Sequence, residues 1–395
     1  LYKRIPVDSV MGTAYTYSFS HGNTVTGSSI DPLESELTTE DGNRLRIRLY
    51  TPATPLPSDP IVLVHGLLSS SDIFDVPNAN HVSLARRLRD QGYTVITYDQ
   101  RGAGGSQTKN WNFGLAEIAL LDLPTVIKHA MDVTESQKVI LGGHSLGGVQ
   151  IYLLMCYAAI SRKPKIAIDL SNIGACFTMA SPVQLTPSIS PWCLIRAKWN
   201  TYYSLLDPDG DGRISPADFV RVQAGFFRSF WASLLHPGII RYFMKFGGQY
   251  KIVAAVLKRL PIPSLLFRNT DFDTRVFKGI LASKVLDAGP LQLLTEVRAA
   301  IESNGRLKVK YLAEDITLPD SLEQVKSMRI LTITSEMDNF VPPTDVRAIH
   351  SYIANGTSIV TETDLGIGSG HSGYLFKPNL HDLVFNQILK FLRSL

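Results

Sequence analysis

Gly143-His-Ser-Leu-Gly147 follows the short apolar run Val139-Ile-Leu141 and precedes the apolar stretch Val149–Ala159. A strand, a G-x-S-x-G turn and a helix in that order lift a serine hydroxyl clear of a sheet, with glycines where the sharp turn leaves no room for side chains. The new helix also points its N-terminal amides and positive dipole end at that hydroxyl. Ser145 is therefore the candidate nucleophile. A chance Gly/Ser turn is the competing reading, and the strand and helix on either side argue against it.

Outward from this turn, other β-branched apolar runs repeat the pattern. Ile61-Val-Leu-Val64 reads as a parallel strand buried on both faces. Thr94–Tyr98 follows an amphipathic helix near Val82–Gln91, and Val139-Ile-Leu141 follows a helix near Ala116–Met131. Further strands are expected at Ala175–Ala180 and Arg329–Thr334, and Glu36–Thr39 with Arg44–Tyr50 flank Asp41-Gly42 as a hairpin. Strand alternating with helix over about 130 residues predicts an α/β fold with a mostly parallel central sheet flanked by helices.

Four segments are expected. Residues 1–56 form an N-terminal extension and edge hairpin, and 57–184 the first part of the core. Residues 185–325 form a helical cap over the sheet's carboxyl edge, and 326–395 complete the core. The cap carries Trp192, Trp199 and Trp231, which fit either a hydrophobic substrate site or the cap's own packing.

A serine nucleophile needs a base, and the base needs an orienting group. His371 lies in Gly368-Ser-Gly-His-Ser-Gly373, a glycine-rich loop after the strand-like Ser358–Glu362, whereas His350 and His381 fall within or at the start of helical patterns. Asp338 follows the strand Ile330–Thr334, with Glu336 as a rival carboxylate two residues earlier. The order serine, acid, histidine is the order this strand–turn–helix architecture uses. His65-Gly66-Leu67-Leu68 ends the first buried strand, so the backbone amides of Leu67 and Leu146 are the candidate oxyanion donors.

These motifs, with Asp99-Gln-Arg-Gly-Ala-Gly-Gly-Ser106, resemble the α/β-hydrolase superfamily and its D-x-R-G-x-G-x-S loop. The resemblance covers about 50–190 and 325–395, leaving the insertion uncovered. His65-Gly-Leu-Leu68 and Asp122-Leu-Pro124 are also similar to the acid-lipase branch. Ser335 is a departure, standing where the family often has glycine before the acid loop. The resemblance implies a serine hydrolase of carboxylic esters, an esterase or lipase. Acyl transfer, C–C bond hydrolysis and an interface-activated lipase use the same groups. Epoxide hydrolases and dehalogenases of this fold use an aspartate nucleophile, against which Ser145 argues.

Inside the cap, Asp207-Pro-Asp-Gly-Asp-Gly-Arg-Ile-Ser-Pro-Ala-Asp218 resembles an EF-hand loop. Asp207, Asp209 and Asp211 occupy positions 1, 3 and 5, and Gly212 the turn. Arg213 would offer its carbonyl, Ser215 a direct or water-bridged ligand and Asp218 the closing carboxylate. The expected cofactor is thus structural Ca2+, with none for catalysis. A shorter Asp218 in place of glutamate predicts weak affinity, and a degenerate second loop stands at Asn269–Asp273. Weak loops suit millimolar external calcium, which favours secretion or the cell envelope, though the compartment stays open.

The remaining composition excludes other classes. Thirty-nine basic against 35 acidic residues, a net charge of +4 spread evenly, does not make a nucleic-acid surface. No apolar run reaches the roughly 18 residues that span a bilayer. The partner that the resemblance implies is a small ester or lipid substrate. Leu1 in place of Met is what a processed chain would show. Cys156, Cys176 and Cys193 lack metal-ligand spacing and read as buried thiols, with one disulfide possible.

Overall fold

A computed structural model describes residues 15–18, 24–27, 32–161, 168–186, 207, 209–215, 218 and 274–395. Strands β1 (Tyr15–Ser18) and β2 (Thr24–Gly27) pair as an antiparallel hairpin apart from the main sheet. The main sheet is built from β3 (Leu33–Thr38), β4 (Arg44–Tyr50), β5 (Ile61–Val64), β6 (Val95–Tyr98), β7 (Val139–His144), β8 (Ile173–Met179), β13 (Ile330–Thr334) and β14 (Gly356–Val360). Its strand order is β14-β13-β8-β7-β5-β6-β4-β3. The six strands from β14 to β6 run parallel, while β4 and β3 are antiparallel at one edge. The mostly parallel sheet expected from the sequence is present.

Residue alternation on β5 explains why the sheet is buried on both faces. Ile61 and Leu63 pack into the core that includes α1 (Leu84–Asp90) and the C-terminal helix Pro378–Leu392. Val62 and Val64 pack into the opposite core, with α2 (Leu123–Thr134) and α3 (Leu146–Ile160). Each fully buried aliphatic side chain contributes about 1.5–3 kcal/mol relative to exposure. Ser83 starts α1, its hydroxyl accepting the Arg86 amide at 3.1 Å. Helix α3 is apolar all round and buried from Leu146 to Tyr157, as a helix covered on both sides must be.

Part of what covers α3 is extended chain within the segment 185–325, which the sequence reads as a mostly helical cap. Strands β11 (Leu307–Tyr311) and β12 (Glu314–Leu318) form an antiparallel hairpin there. Leu307 and Val309 face the core while Lys308 and Lys310 face solvent, a period of two that fits a strand and not a helix. The two-residue strands β9 (Arg213–Ile214) and β10 (Gly289–Pro290) also pair antiparallel. Helices α4 (Thr274–Ala282) and α5 (Leu291–Glu302) lie in the same segment, which closes on a 3-10 helix at Asp320–Val325. The tryptophans Trp192, Trp199 and Trp231, Cys193 and the loop Asn269–Asp273 lie outside the described residues. Cys156 and Cys176 are buried free thiols.

Strand β5 lies between β6 and β7, so the chain leaves it to one side and then the other. The carboxyl ends of β5 and β7 therefore open a crevice at a topological switch point, the general ligand position in such sheets.

Candidate active site

Ser145 sits at that crevice, where β7 turns into α3. Its backbone has φ 55° and ψ −125°, a left-handed conformation that costs about 1–3 kcal/mol outside glycine. Neighbours hold it there. The Ser145 amide donates to the Met179 carbonyl at 2.8 Å, tying the turn to the end of β8. A side chain at position 147 is impossible without movement, since a Cβ there would lie 2.0 Å from the Val64 carbonyl oxygen. Gly66 backs directly onto the serine, and a Cβ on it would come 3.0 Å from the Ser145 Cβ.

Two loops from other strands reach this hydroxyl. Ser145 Oγ lies 2.8 Å from His371 Nε2, and His371 Nδ1 lies 2.9 Å from Asp338 Oδ2. The second carboxylate oxygen accepts the amides of Phe340 (2.8 Å) and Val341 (3.0 Å), so Asp338 is fixed on both sides. The Phe340 ring lies 4.7 Å from the imidazole, and His371 is 2% exposed. Because Ser145 Oγ donates to Nε2, the ring proton belongs on Nδ1, facing the carboxylate. The rivals go elsewhere. Glu336 is exposed, His350 Nε2 contacts Thr332 Oγ1 at 2.8 Å, and His381 is buried with Nδ1 against the Tyr374 carbonyl at 3.2 Å.

Leu67 and Leu146 line the same pocket as Ser145, and Leu146 opens α3, where the helix itself leaves amides unpaired. His65 anchors the first of these loops. Its Nε2 accepts the Gln100 amide at 3.0 Å, its Nδ1 faces the Gly66 carbonyl at 3.0 Å, and its own carbonyl accepts the Gln100 side-chain amide at 2.7 Å. Burial holds the His65 ring below its ordinary pKa, in keeping with a neutral tautomer protonated on Nδ1.

The pocket beside Ser145 is walled by apolar side chains from several elements, among them Val149 of α3, Val297 of α5, Leu307 of β11, Leu318 of β12 and Phe340. Gln184 is a polar exception, and its amide is turned to Asp345 Oδ1 at 3.3 Å. Asp345 also accepts the Thr186 amide at 2.8 Å, which pins this wall to the helix Pro343–Arg347.

Sequence reasoning did not single out His144, Glu362 or Asp345. His144 is the variable position of the serine motif, and Glu362 ends the strand-like Ser358–Glu362 in the sequence but stands in the short helix Thr361–Leu365. Only their tertiary neighbours mark them.

In the acidic loop, Asp207, Asp209 and Asp211 bring carboxylate oxygens within 4.8 Å of one another. Gly212 takes φ +76°, the turn that position requires. Asp207 Oδ2 accepts the Gly212 amide at 3.1 Å, while its Oδ1 is buried without a partner. Asp218 Oδ2 accepts the Ser215 amide (2.8 Å) and hydroxyl (2.6 Å). The short strand Arg213–Ile214 pairs with β10 and not with a second loop. The flanking helices of an EF-hand fall outside the described residues. Among the described residues, no helix is long and apolar enough to cross a membrane.

Residues 61–374 match the sequence profile of the alpha/beta hydrolase family. Curated relatives include "Lipase 1" of Drosophila melanogaster, 37% identical over 31% of this chain and 29% of that protein. "Sterol esterase 2" of Saccharomyces cerevisiae is 27% identical over 43% of this chain and 32% of its own, and "Lipase member N" of Mus musculus 26% over 50% and 54%. The matches thus span about half or less of these relatives. Among solved structures, a putative aryl esterase from Burkholderia cenocepacia superposes with TM-score 0.54 at 18% identity, covering 92% of this chain and all of that one. An epoxide hydrolase from Vigna radiata superposes at 0.51 with 15% identity, covering 93% and 100%. Likeness at this level establishes the fold and does not choose between these reactions.

Proposed function

This chain belongs to the alpha/beta hydrolase family, and on that premise we propose that it is a serine hydrolase of carboxylic esters with a hydrophobic acyl or alcohol group. The observation that carries the reading is the relay from Ser145 Oγ through His371 to Asp338, at 2.8 and 2.9 Å, opening on an apolar pocket. An aspartate nucleophile, as epoxide hydrolysis on this fold requires, has no counterpart at position 145. The lipase and sterol esterase relatives favour an apolar ester in the same way.

In this reading Ser145 Oγ attacks the ester carbonyl as His371 Nε2 takes its proton. Asp338 holds the imidazole in the tautomer that can accept, and stabilises the imidazolium that forms. Negative charge develops on the carbonyl oxygen, where the amides of Leu67 and Leu146 would meet it in a site dry enough to strengthen those bonds. His371 then gives the proton to the leaving alkoxide. Water, deprotonated by the same imidazole, releases the acyl group from Ser145.

Hydrolysis rates of p-nitrophenyl esters from acetyl to palmitoyl, with Ser145→Ala alongside, test this. Turnover lost in the variant supports the serine esterase, and the chain-length optimum reports the pocket. No ester turnover with fluorophosphonate still bound at Ser145 would move acyl transfer or C–C hydrolysis ahead. An interface-activated lipase is the further reading favoured by the lipase relatives, and a rate jump above the substrate's solubility limit separates it from an esterase.

The loop from Asp207 to Asp218 is read as a Ca2+ site through Asp207, Asp209, Asp211, the Arg213 carbonyl, Ser215 and Asp218. The buried, unpartnered Asp207 Oδ1 fits a cation, since a carboxylate oxygen left without a donor is otherwise costly. Calcium there would stiffen the lobe above the sheet and take no part in the reaction.

A further inference from the structure

We propose that Ser335 and Glu362 form a positioning pair that holds the acid loop in register with the histidine loop, so that Asp338 meets His371. The inference rests on the reading of Ser145, His371 and Asp338 as one relay. Neither residue of the pair touches the pocket, so both act through the loops they join.

The two partners of the Asp338–His371 bond come from separate loops. One leaves β13 at Ser335, the other follows the short helix Thr361–Leu365 after β14. The parallel ladder between these strands ends at Thr334 and Val360. Beyond it, the backbone groups of both loops need other partners. Ser335 supplies them. Its buried hydroxyl accepts the Ser369 amide at 3.0 Å and the Met337 amide at 3.2 Å, and its proton lies between the Ser369 carbonyl, at 2.9 Å, and Glu362 Oε1. One hydroxyl thus grips both backbone groups of Ser369, two residues before His371.

Glu362 completes the hub from the other side. Its Oε2 accepts the Glu336 amide at 2.9 Å and its Oε1 the Met337 amide at 3.0 Å. Three successive residues of the acid loop are therefore tied to one carboxylate, and Asp338 follows directly, its own amide on the Ser335 carbonyl at 3.2 Å. Hydrogen bonds to an ionised acceptor are roughly twice as strong as neutral ones. Burial raises the Glu362 pKa, but the Ser335 hydroxyl and the two amides outweigh it and hold the carboxyl below its ordinary range.

Other contacts fix the histidine loop from different directions. His144 Nε2–H donates to the His371 carbonyl at 3.0 Å, and Lys377 Nζ donates to the Gly368 carbonyl at 2.8 Å. These tie the loop to β7 and to the residue before the C-terminal helix. Neither reaches the acid loop, so neither ties the two loops to each other.

The test compares Glu362→Gln, Ser335→Ala and the double variant with the full-length wild type. Glu362 is partly exposed, so Glu362→Gln is the variant least apt to unfold, and circular dichroism checks each. The readouts are the far-downfield proton NMR resonance of His371 Nδ1–H, assigned by its loss in Asp338→Asn, and kcat and KM on a p-nitrophenyl ester. Each single variant should broaden or shift that resonance and lower kcat about 10- to 100-fold, the scale of a displacement near 1 Å, with KM within about twofold. The double variant should be little worse than the poorer single, because the pair acts as a unit. An unchanged resonance and kcat in folded Glu362→Gln overturns the proposal, as do losses that multiply in the double variant. If the wild type turns over no ester and takes no fluorophosphonate while the variants still lose the resonance, the positioning pair stands and the esterase reading falls.

Discussion

His144, immediately before Ser145, donates from Nε2–H to the carbonyl oxygen of His371 at 3.0 Å. The strand that carries the serine thereby holds the backbone of the histidine that faces it. Burial, and then the neighbouring His371, push the His144 pKa down to about 3, so the ring is neutral and its proton is available to the carbonyl. Its Nδ1 is buried without a partner. His144→Phe keeps an aromatic ring and removes the donor. The variant should lose about 1–3 kcal/mol of stability from the orphaned carbonyl, measured by urea unfolding, and kcat should fall with KM little changed. The sign of its pH effect follows from the depressed pKa. An unfolded histidine titrates near 6.5, so stability from the neutral ring is present above that pH and drains as pH falls toward about 3. Wild type should lose more stability than His144→Phe between pH 6.5 and 4.

Asp338→Asn leaves the loop able to accept from the Phe340 and Val341 amides, but it presents the imidazole with a partner that favours the wrong tautomer. Ester turnover should fall by about 10⁴ in kcat, as loss of the orienting carboxylate does in other triads. Glu336→Gln, a change at the exposed rival, should leave kcat within about twofold. Comparable losses in both would mean the acid has been misassigned.

Glu296 on α5 accepts the Leu115 amide at 2.9 Å beside the pocket wall, and burial raises its pKa to about 6. The folded protein thus binds a proton more readily than the unfolded chain. Stability from this group is full below the ordinary carboxylate range and declines as pH rises to about 6, after which it is flat. The decline amounts to about 2 kcal/mol at most. Glu296→Gln should flatten that window in a series of urea midpoints from pH 4 to 7. An unchanged slope would show that Glu296 titrates normally.

The acidic loop Asp207–Asp218, the proposed Ca2+ site, connects to the candidate oxyanion loop through backbone pairing. Its strand β9 pairs with β10, the Leu291 amide donates to Gly212, and just before β10 the Asp287 amide donates to the Leu68 carbonyl at 2.9 Å. Added Ca2+ should therefore raise the melting temperature of chelator-treated protein, and Asp211→Asn should weaken that response. A melting temperature indifferent to calcium and to chelator would exclude the site.

The resemblance carried by 143–147, 99–106 and 65–68 already implied the fold, because strand–turn–helix units with buried β-branched runs close in few ways. The order Ser145, Asp338, His371 was legible for the same reason, since each lies just past a strand or in a glycine-rich loop. The hairpin β11–β12 was hidden. Its period of two is short, and a helical reading of the surrounding insertion absorbed it. The role of Ser335 was also hidden. In the sequence it is a departure from a familiar glycine, and only the folded chain brings Ser369 and Glu362 to its hydroxyl.

Local signals thus determined which residues could do chemistry, since backbone strain, strand ends and glycine turns are written over a few adjacent positions. Tertiary structure alone decided which of them meet. The contacts of His144 with His371, Ser335 with Ser369 and Leu68 with Asp287 join segments 227, 34 and 219 residues apart in sequence. No periodicity or spacing encodes such pairs, because their geometry exists only once the sheet has brought the loops to one edge.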